Sequence, residues 1–309
     1  MQSTNSLCDQ TGAQVPVPKI VWMLWLQGFD AAPPLVQTCV RSWERQNPGW
    51  TVQLLTEDSL RDNLDSAFCE ALFSAGLPLS KIANIARLEL IARHGGVWAD
   101  ADCFCAQPLD GWIDTAAASG FFAFRFEETD RWFIDETAPL VRRLLSRTGD
   151  RVIANWFLAG LPGNAIATDF CRRHFELLKT ALASRKASFG FLRNPIIGLM
   201  RRNAYLSSLM GSREFVTRVG RYPYFIFHFH FANLLRTDPA FRSAWVTVPS
   251  RSAPAALSFS KTLGLSVDKA FKDAVSGGGS PVYKFHWRRT APLQSDAQTR
   301  YDWLQERFG

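Results

Sequence analysis

The chain has 309 residues, 47% of them hydrophobic, and carries 35 Lys and Arg against 28 Asp and Glu for a net charge of +7. That length suits one α/β domain with an accessory region, and the apolar fraction supplies a sizeable core, which excludes a disordered or low-complexity chain. The positive balance favours anionic partners, but without an arginine stripe or aromatic-basic motif nucleic acid is not expected, and no apolar run reaches the length of a membrane span.

Residues 1–15 read as a disordered tail, and Met1 to Gln14 has neither a basic start nor an apolar stretch, so no secretory signal is expected. Lys19 to Leu26 is a continuous apolar, β-prone run that suits a buried parallel strand. Val36, Cys39, Val40 and Trp43 then recur at helical spacing until Asn47-Pro48-Gly49, and Trp50 to Leu55 gives a second strand. This strand, helix, strand order predicts a doubly wound sheet. Glu57 to Ala75 is expected to be one exposed helix, followed by a second that starts with Ser80 as its N-cap.

Lys81 to Cys105, KIANIARLELIARHGGVWADADCFC, is the most informative stretch. Its helix is apolar on most sides and therefore predicted to be buried, so its polar residues need a reason. Asn84 and Arg87 lie three apart on one face and could enter a site, whereas Glu89 and Arg93 form an i,i+4 pair at a solvated edge. Gly95 and Gly96 end the helix and turn the chain into a strand. That strand ends on the two aspartates, so Asp100 and Asp102 share a face, where two carboxylates can hold one hard cation, Mg²⁺ or Mn²⁺, against substrate phosphates. A bare Asp-x-Asp is by itself a weak signal.

Beyond it, Gly120 to Phe126 reads as a strand, Leu140 to Leu145 as a short helix, and Ile153 to Ala159 as another strand, with Asn155 read by itself as a strand-end residue making a turn hydrogen bond. Ala165 to Ala183 is a long helix on which His174 is a packed side chain. Residues 184–221 are basic and read as a helical accessory region on the acceptor side. In Tyr222 to Leu235, His228 and His230 share a face if the segment is extended and diverge if it is helical; a structural role is expected for both. Glycines 277–279 form a connection before Pro281 to Arg288, PVYKFHWR, and residues 291–309 form a terminal tail or helix. The six cysteines, at 8, 39, 69, 103, 105 and 171, lack metal-finger spacing, and Cys103 and Cys105 read as small buried residues on one strand face.

Arg87, the glycine pair, the hydrophobic-aromatic Val97-Trp98 and Asp-x-Asp together resemble the core of the DXD-containing glycosyltransferases of the capsular polysaccharide synthesis and yeast mannosyltransferase type. Pro18, Lys19, Ile20, Trp22, Trp25 and Gly28 resemble that family's opening, Asn155-Trp156-Phe157 is similar to its Asn-Trp-Phe segment, and Pro281 to Trp287 to its C-terminal Pro-hydrophobic-x-Lys-x-x-Trp pattern. The resemblance runs from about Pro18 to Arg288 and implies a GT-A fold, a Rossmann-like, mostly parallel sheet with residues 16–290 as one catalytic domain. It implies a metal-dependent, retaining transferase that moves a sugar from a nucleotide donor, a UDP-sugar before a GDP-sugar, to a saccharide or glycolipid acceptor in surface polysaccharide synthesis. Asp100, Asp102 and Arg87 would be catalytic. Trp25, Asn84, Arg87, Gly95, Gly96, Asn155 and Trp287 would contact the donor, with Trp25 on the base; Asp102, Asp100 and His286 would hold the metal. Lys284 or Arg288 would neutralise diphosphate charge. The expected location is the cytoplasm or the inner face of its membrane. One departure is Asn84, where the family usually has aspartate; its lost charge motivates the leading alternative, a non-catalytic sugar-nucleotide or glycan-binding protein, while a further alternative keeps the chemistry and is a protein-glycosylating effector. Oligomeric state is left open.

Overall fold

The structure is a computed structural model that describes residues 15–134, 139–145, 149–184, 193–201, 203–291 and 298–309. The expected tail up to Gln14, with Cys8, and parts of the 184–221 and 291–309 regions lie outside the described residues. The described elements used below are β1 (Ile20–Leu24), α1 (Pro34–Gln46), β2 (Thr51–Leu55), α2 (Leu79–His94), β3 (Gly96–Ala99), β4 (Cys103–Cys105), β5 (Phe121–Arg125), β6 (Ile153–Gly160), α3 (Ala165–Ala183), α4 (Ile226–Thr237), β7 (Val282–Lys284) and α5 (Arg300–Phe308).

Five strands form the central sheet in the order β2-β1-β3-β6-β5. β1 pairs in parallel with β2 and β3, while β6 runs antiparallel to both β3 and β5. Four strands thus point one way and β6 the other: a mostly parallel α/β sheet, with one reversed strand that the doubly wound expectation does not contain. Side-chain alternation fills both faces. Trp98 and Leu158 enter the cluster beneath α2, α3 and α4, whereas Val97, Ala99, Phe157 and Ala159 enter a second cluster with Trp43 of α1 and Trp112. A fully buried Val, Leu or Phe among these contributes roughly 1.5–3 kcal/mol.

The helices follow their local signals. Pro34 stands in the first turn of α1, where its missing N–H costs nothing, and Asn47 caps its end. α2 is buried on most sides, as its all-round apolarity predicts, between the sheet and α3. Two local expectations are corrected. α2 begins at Leu79 behind Pro78 without a side-chain cap, so Ser80 is not its N-cap. Residues 57–75 form two helices, Glu57–Asp62 and Ser66–Ser74, because Asp65 accepts from the N–H groups of Ala67 and Phe68 and starts a new helix there.

A small second sheet pairs β4 with β7 in antiparallel register, Cys103 opposite Lys284. α5 braces it against α1: Arg41 and Arg45 donate to the carbonyls of Phe308 (3.0 Å) and Arg307 (3.1 Å). The C-terminal segment is thereby delivered to the carboxyl end of β3. Helices Arg193–Met200, Ala204–Leu209 and Arg213–Val219 form the described part of the 184–221 region. Among the described residues no helix is long and apolar enough to cross a membrane.

Candidate functional site

The helical spacing of α2 places Asn84 and Arg87 side by side, both buried, and both meet Asn155 of β6. Asn155 Nδ2 donates to Asn84 Oδ1 at 3.2 Å, and Arg87 Nη1 donates to the Asn155 carbonyl. Asn155 is the third of eight strand residues, so it is not the strand-end turn residue considered above. Arg87 also donates Nε to Ala83 O (3.1 Å), lies 5.0 Å from the Trp98 ring centre and pairs with Asp100 Oδ1 at 3.0 Å. Burial lowers its pKa, and Asp100 opposes that effect. Trp98 Nε1 donates to the same Asp100 oxygen at 2.9 Å, so that carboxylate is aimed from two sides.

The aspartates do not share a strand face. β3 ends at Ala99; Asp100 N–H still donates to Trp156 O (2.8 Å), and Cys103 N–H then donates to Asp100 O (2.8 Å), closing a turn that carries Asp100, Ala101 and Asp102. The turn sends both carboxylates to one point, which Lys284 Nζ occupies: it contacts Asp102 Oδ1 and lies 3.9 Å from Asp100 Oδ2. Phe285 N–H donates to Asp102 O at 3.0 Å, fixing β7 at this place. Burial works against the lysine's charge, but Asp102 and then Asp100 outweigh it and raise its pKa. Two carboxylates converging on one cationic nitrogen, with oxygen donors only, fit the requirements of a hard divalent cation.

Trp25 and Trp287 meet edge to face, ring centres 5.6 Å apart, and pack with Phe29 against Ala32, Val36 and Ala101, the residue between the aspartates. Both rings are half-buried and keep surface free beside the site.

Other expected site residues are not brought here. Gly95 and Gly96 lie at the opposite end of β3, about 13 Å from Asp100 at the rise of a strand. A Cβ on Gly95 would stand 2.8 Å from Gly160 O and one on Gly96 2.6 Å from Ile20 O, so their role is close packing of the backbone rather than donor contact. His286 is exposed, its Nδ1 accepting from Arg288 N–H at 3.4 Å. Among the described residues no group of three His, Cys, Asp or Glu side chains is placed to hold a metal, so His286 does not join the aspartates. His228 and His230 diverge on the helix α4: His228 Nδ1 bonds Ile153 O (2.9 Å), and His230 Nδ1 lies 3.1 Å from Nδ1 of the packed His174.

A family model described as "Capsular polysaccharide synthesis protein" matches residues 3–166, just over half of the chain and all of β1 through β6 with Arg87, both aspartates and Asn155. The chain belongs to that family. This capsular polysaccharide synthesis family member is 28% identical over 204 residues to the O-glycosyltransferase braB of Annulohypoxylon truncatum, covering 61% of this chain and 43% of that protein. It is 26% identical over 174 residues to the putative glycosyltransferase HOC1 of Saccharomyces cerevisiae, covering 53% and 41% respectively. The chain therefore spans less than half the length of these curated relatives. Among solved structures, PaToxG Glycosyltransferase shares 12% identity over 91% of this chain and 88% of its own with a TM-score of 0.34, too low a likeness to inform the site.

Two side chains near the family member's site carry roles that the motifs do not assign. Trp98 orients Asp100 through its indole N–H. Lys81, two turns before Arg87, is buried; its Nζ donates to Tyr224 O (2.5 Å), and burial, then Arg87, lower its pKa to about 8. A signal for Lys81 exists: a lysine that opens an otherwise apolar helix.

Proposed function

We propose that this chain is a metal-dependent glycosyltransferase that moves a sugar from a nucleoside diphosphate donor, UDP-linked before GDP-linked, to a saccharide or glycolipid acceptor in surface polysaccharide synthesis. The observation that carries the reading is the pair Asp100 and Asp102 converging on one cationic point at the carboxyl end of a strand in an open α/β sheet, where such sheets bind ligands. Asp100 and Asp102 would hold Mn²⁺ or Mg²⁺ in the place that the Lys284 ammonium takes in this structure, with Lys284 turning from there to the diphosphate, and the cation, when bound, supplies Lewis-acid stabilisation of diphosphate charge.

The chain's own residues do the rest. Arg87 and Trp98 hold Asp100 in one orientation; Lys284, beside both aspartates, offers a second positive charge to the diphosphate; Trp25 and Trp287 offer aromatic faces to the base and the sugar. With the Asn84 oxygen engaged by Asn155, its amide N–H groups are left to donate toward a ribose hydroxyl, where an aspartate would accept. The described site presents no dedicated nucleophile, which suits retention by front-face transfer. The bond from the sugar's anomeric carbon to phosphate oxygen breaks, the bond to the acceptor oxygen forms on the same face, and the acceptor proton passes to the departing phosphate.

The test is release of free nucleotide from a panel of UDP- and GDP-sugars, with and without Mn²⁺. Manganese-dependent release that falls by at least about a hundredfold in Asp102→Asn is the expected result. Full activity in both Asp100→Asn and Asp102→Asn would overturn the metal role. Tight donor binding without transfer or hydrolysis would instead assign the chain to the non-catalytic, sugar-nucleotide-binding alternative.

A further inference from the structure

The backbone of Lys284 is fixed beside the aspartates. β7 pairs with β4 so that Lys284 lies opposite Cys103, the residue after Asp102; Phe285 N–H donates to Asp102 O at 3.0 Å on one side, and Ala106 N–H donates to Pro281 O at 2.9 Å on the other. Its neighbours Tyr283 and Phe285 are buried in a cluster with Leu35, Phe104 and Leu304. The flexible methylene stem is therefore what turns when the ammonium changes partner. Among the described residues the ion-pair partners of that ammonium are the two aspartates: it contacts Asp102 Oδ1 and lies 3.9 Å from Asp100 Oδ2, the Asp100 oxygen that Arg87 and Trp98 do not engage. Lys284 and Asp100 are half-buried rather than sealed, so the group opens to solvent on one side.

The charges at this point balance. Asp100 and Asp102 stand against Lys284 and against Arg87, which its contacts to Ala83 O and Asn155 O hold in place. A divalent cation that entered with Lys284 still on the aspartates would leave two positive charges in excess, in a site drawn out of bulk water where like charges repel strongly. The diphosphate of a sugar nucleotide brings two negative charges and restores the balance. It also gives the ammonium oxygen acceptors to which it can turn.

We propose, on the metal-dependent reading above, that Lys284 is a resident counter-cation of the aspartate pair: it competes with the divalent cation for Asp100 and Asp102 and yields to it when a nucleoside diphosphate takes over the ammonium. Metal and nucleotide then load together, each weakly without the other. The coupling is reciprocal, so the cation raises the affinity for the nucleotide by the same factor as the nucleotide raises that for the cation.

The experiment is titration of the full chain with Mn²⁺, with and without UDP, followed by the electron paramagnetic resonance signal of the free ion. Wild type is expected to bind Mn²⁺ about tenfold or more tighter with UDP than without it. Lys284→Met and Lys284→Gln, which remove the charge, should each bind Mn²⁺ alone about tenfold tighter than wild type and gain less from UDP. Lys284→Arg keeps the charge and should bind the ion alone as weakly as wild type; tight binding there would make packing the cause and overturn the proposal. Binding of Mn²⁺ alone by both neutral variants that is no tighter than wild type would overturn it as well. If UDP strengthens Mn²⁺ binding equally in wild type and the neutral variants, the metal reading stands and the role of Lys284 falls. Absence of Mn²⁺ binding from every protein, with and without UDP, would bring down both.

Discussion

Arg87 is held by four partners, the carbonyls of Ala83 and Asn155, the Asp100 carboxylate and the Trp98 ring, and no other side chain reproduces that set. A methionine there fills much of the volume but strands the Asn155 carbonyl and leaves Asp100 without its guanidinium partner, with only the more distant Lys284 ammonium beside it. Arg87→Met should therefore lower stability by about 3 kcal/mol in urea unfolding, the range for breaking a buried pair from one side. Arg87→Lys should restore charge without the fork and recover only part of the loss. A loss under about 1 kcal/mol in Arg87→Met would mean that water replaces the guanidinium. The partnership of Asn84 with Arg87 was legible, because three residues of helix put two side chains on one face. Their meeting with Asn155, 68 residues after Arg87, was not. Local periodicity carries no information about which strand passes over a helix. Lys284 was legible as a cation near phosphate but not as the partner of Asp102, since that contact depends on how the last strand folds back.

At the scale of elements, the join between α2 and β3 decides where the aspartates are presented. Gly96 has φ of +86° and lies against the carbonyl of Ile20 on the neighbouring strand. Gly28 has the same φ but open space around its missing Cβ. Gly28→Ala should then cost about 1 kcal/mol of backbone strain, whereas Gly96→Ala should cost about 3 kcal/mol or more because a rigid backbone blocks relief. Chemical denaturation of the two variants checks the difference, and equal losses would show that φ alone matters. The glycine pair was readable as a turn and misread as a donor contact, because a turn motif next to a site in sequence lies a whole strand away from it in space. The direction of β6 was not readable either. Its apolar run states that it is buried, while pairing direction is set by the path of the chain between β5 and β6.

The whole molecule buries His174, His228 and His230 between α3, α4 and the sheet. Burial is the first cause in each case; it lowers His228 and His230 to about 3 and His174, with a further contribution from His230, well below the free imidazole. Because the folded values lie below the unfolded one, the unfolded chain takes up protons first as the pH falls. Stability is fully present above about pH 6.5 and is lost below it, by about 1.4 kcal/mol per pH unit for each histidine that titrates only when unfolded. Urea midpoints measured from about pH 7.5 down to about pH 4 should fall steeply, and a flat profile would show that the histidines are protonated in place. His174 and His230 were readable as core residues; their mutual contact was not. The sequence by itself determined the main strands and long helices, the burial of α2 and the family, because these follow from local periodicity and motif spacing. Only the tertiary structure decided that the aspartates sit in a turn, that Lys284 stands between them, that the glycines lie at the far end of β3, and that His286 is exposed. Each of these depends on a contact between distant segments, and that geometry is settled by packing of the whole chain.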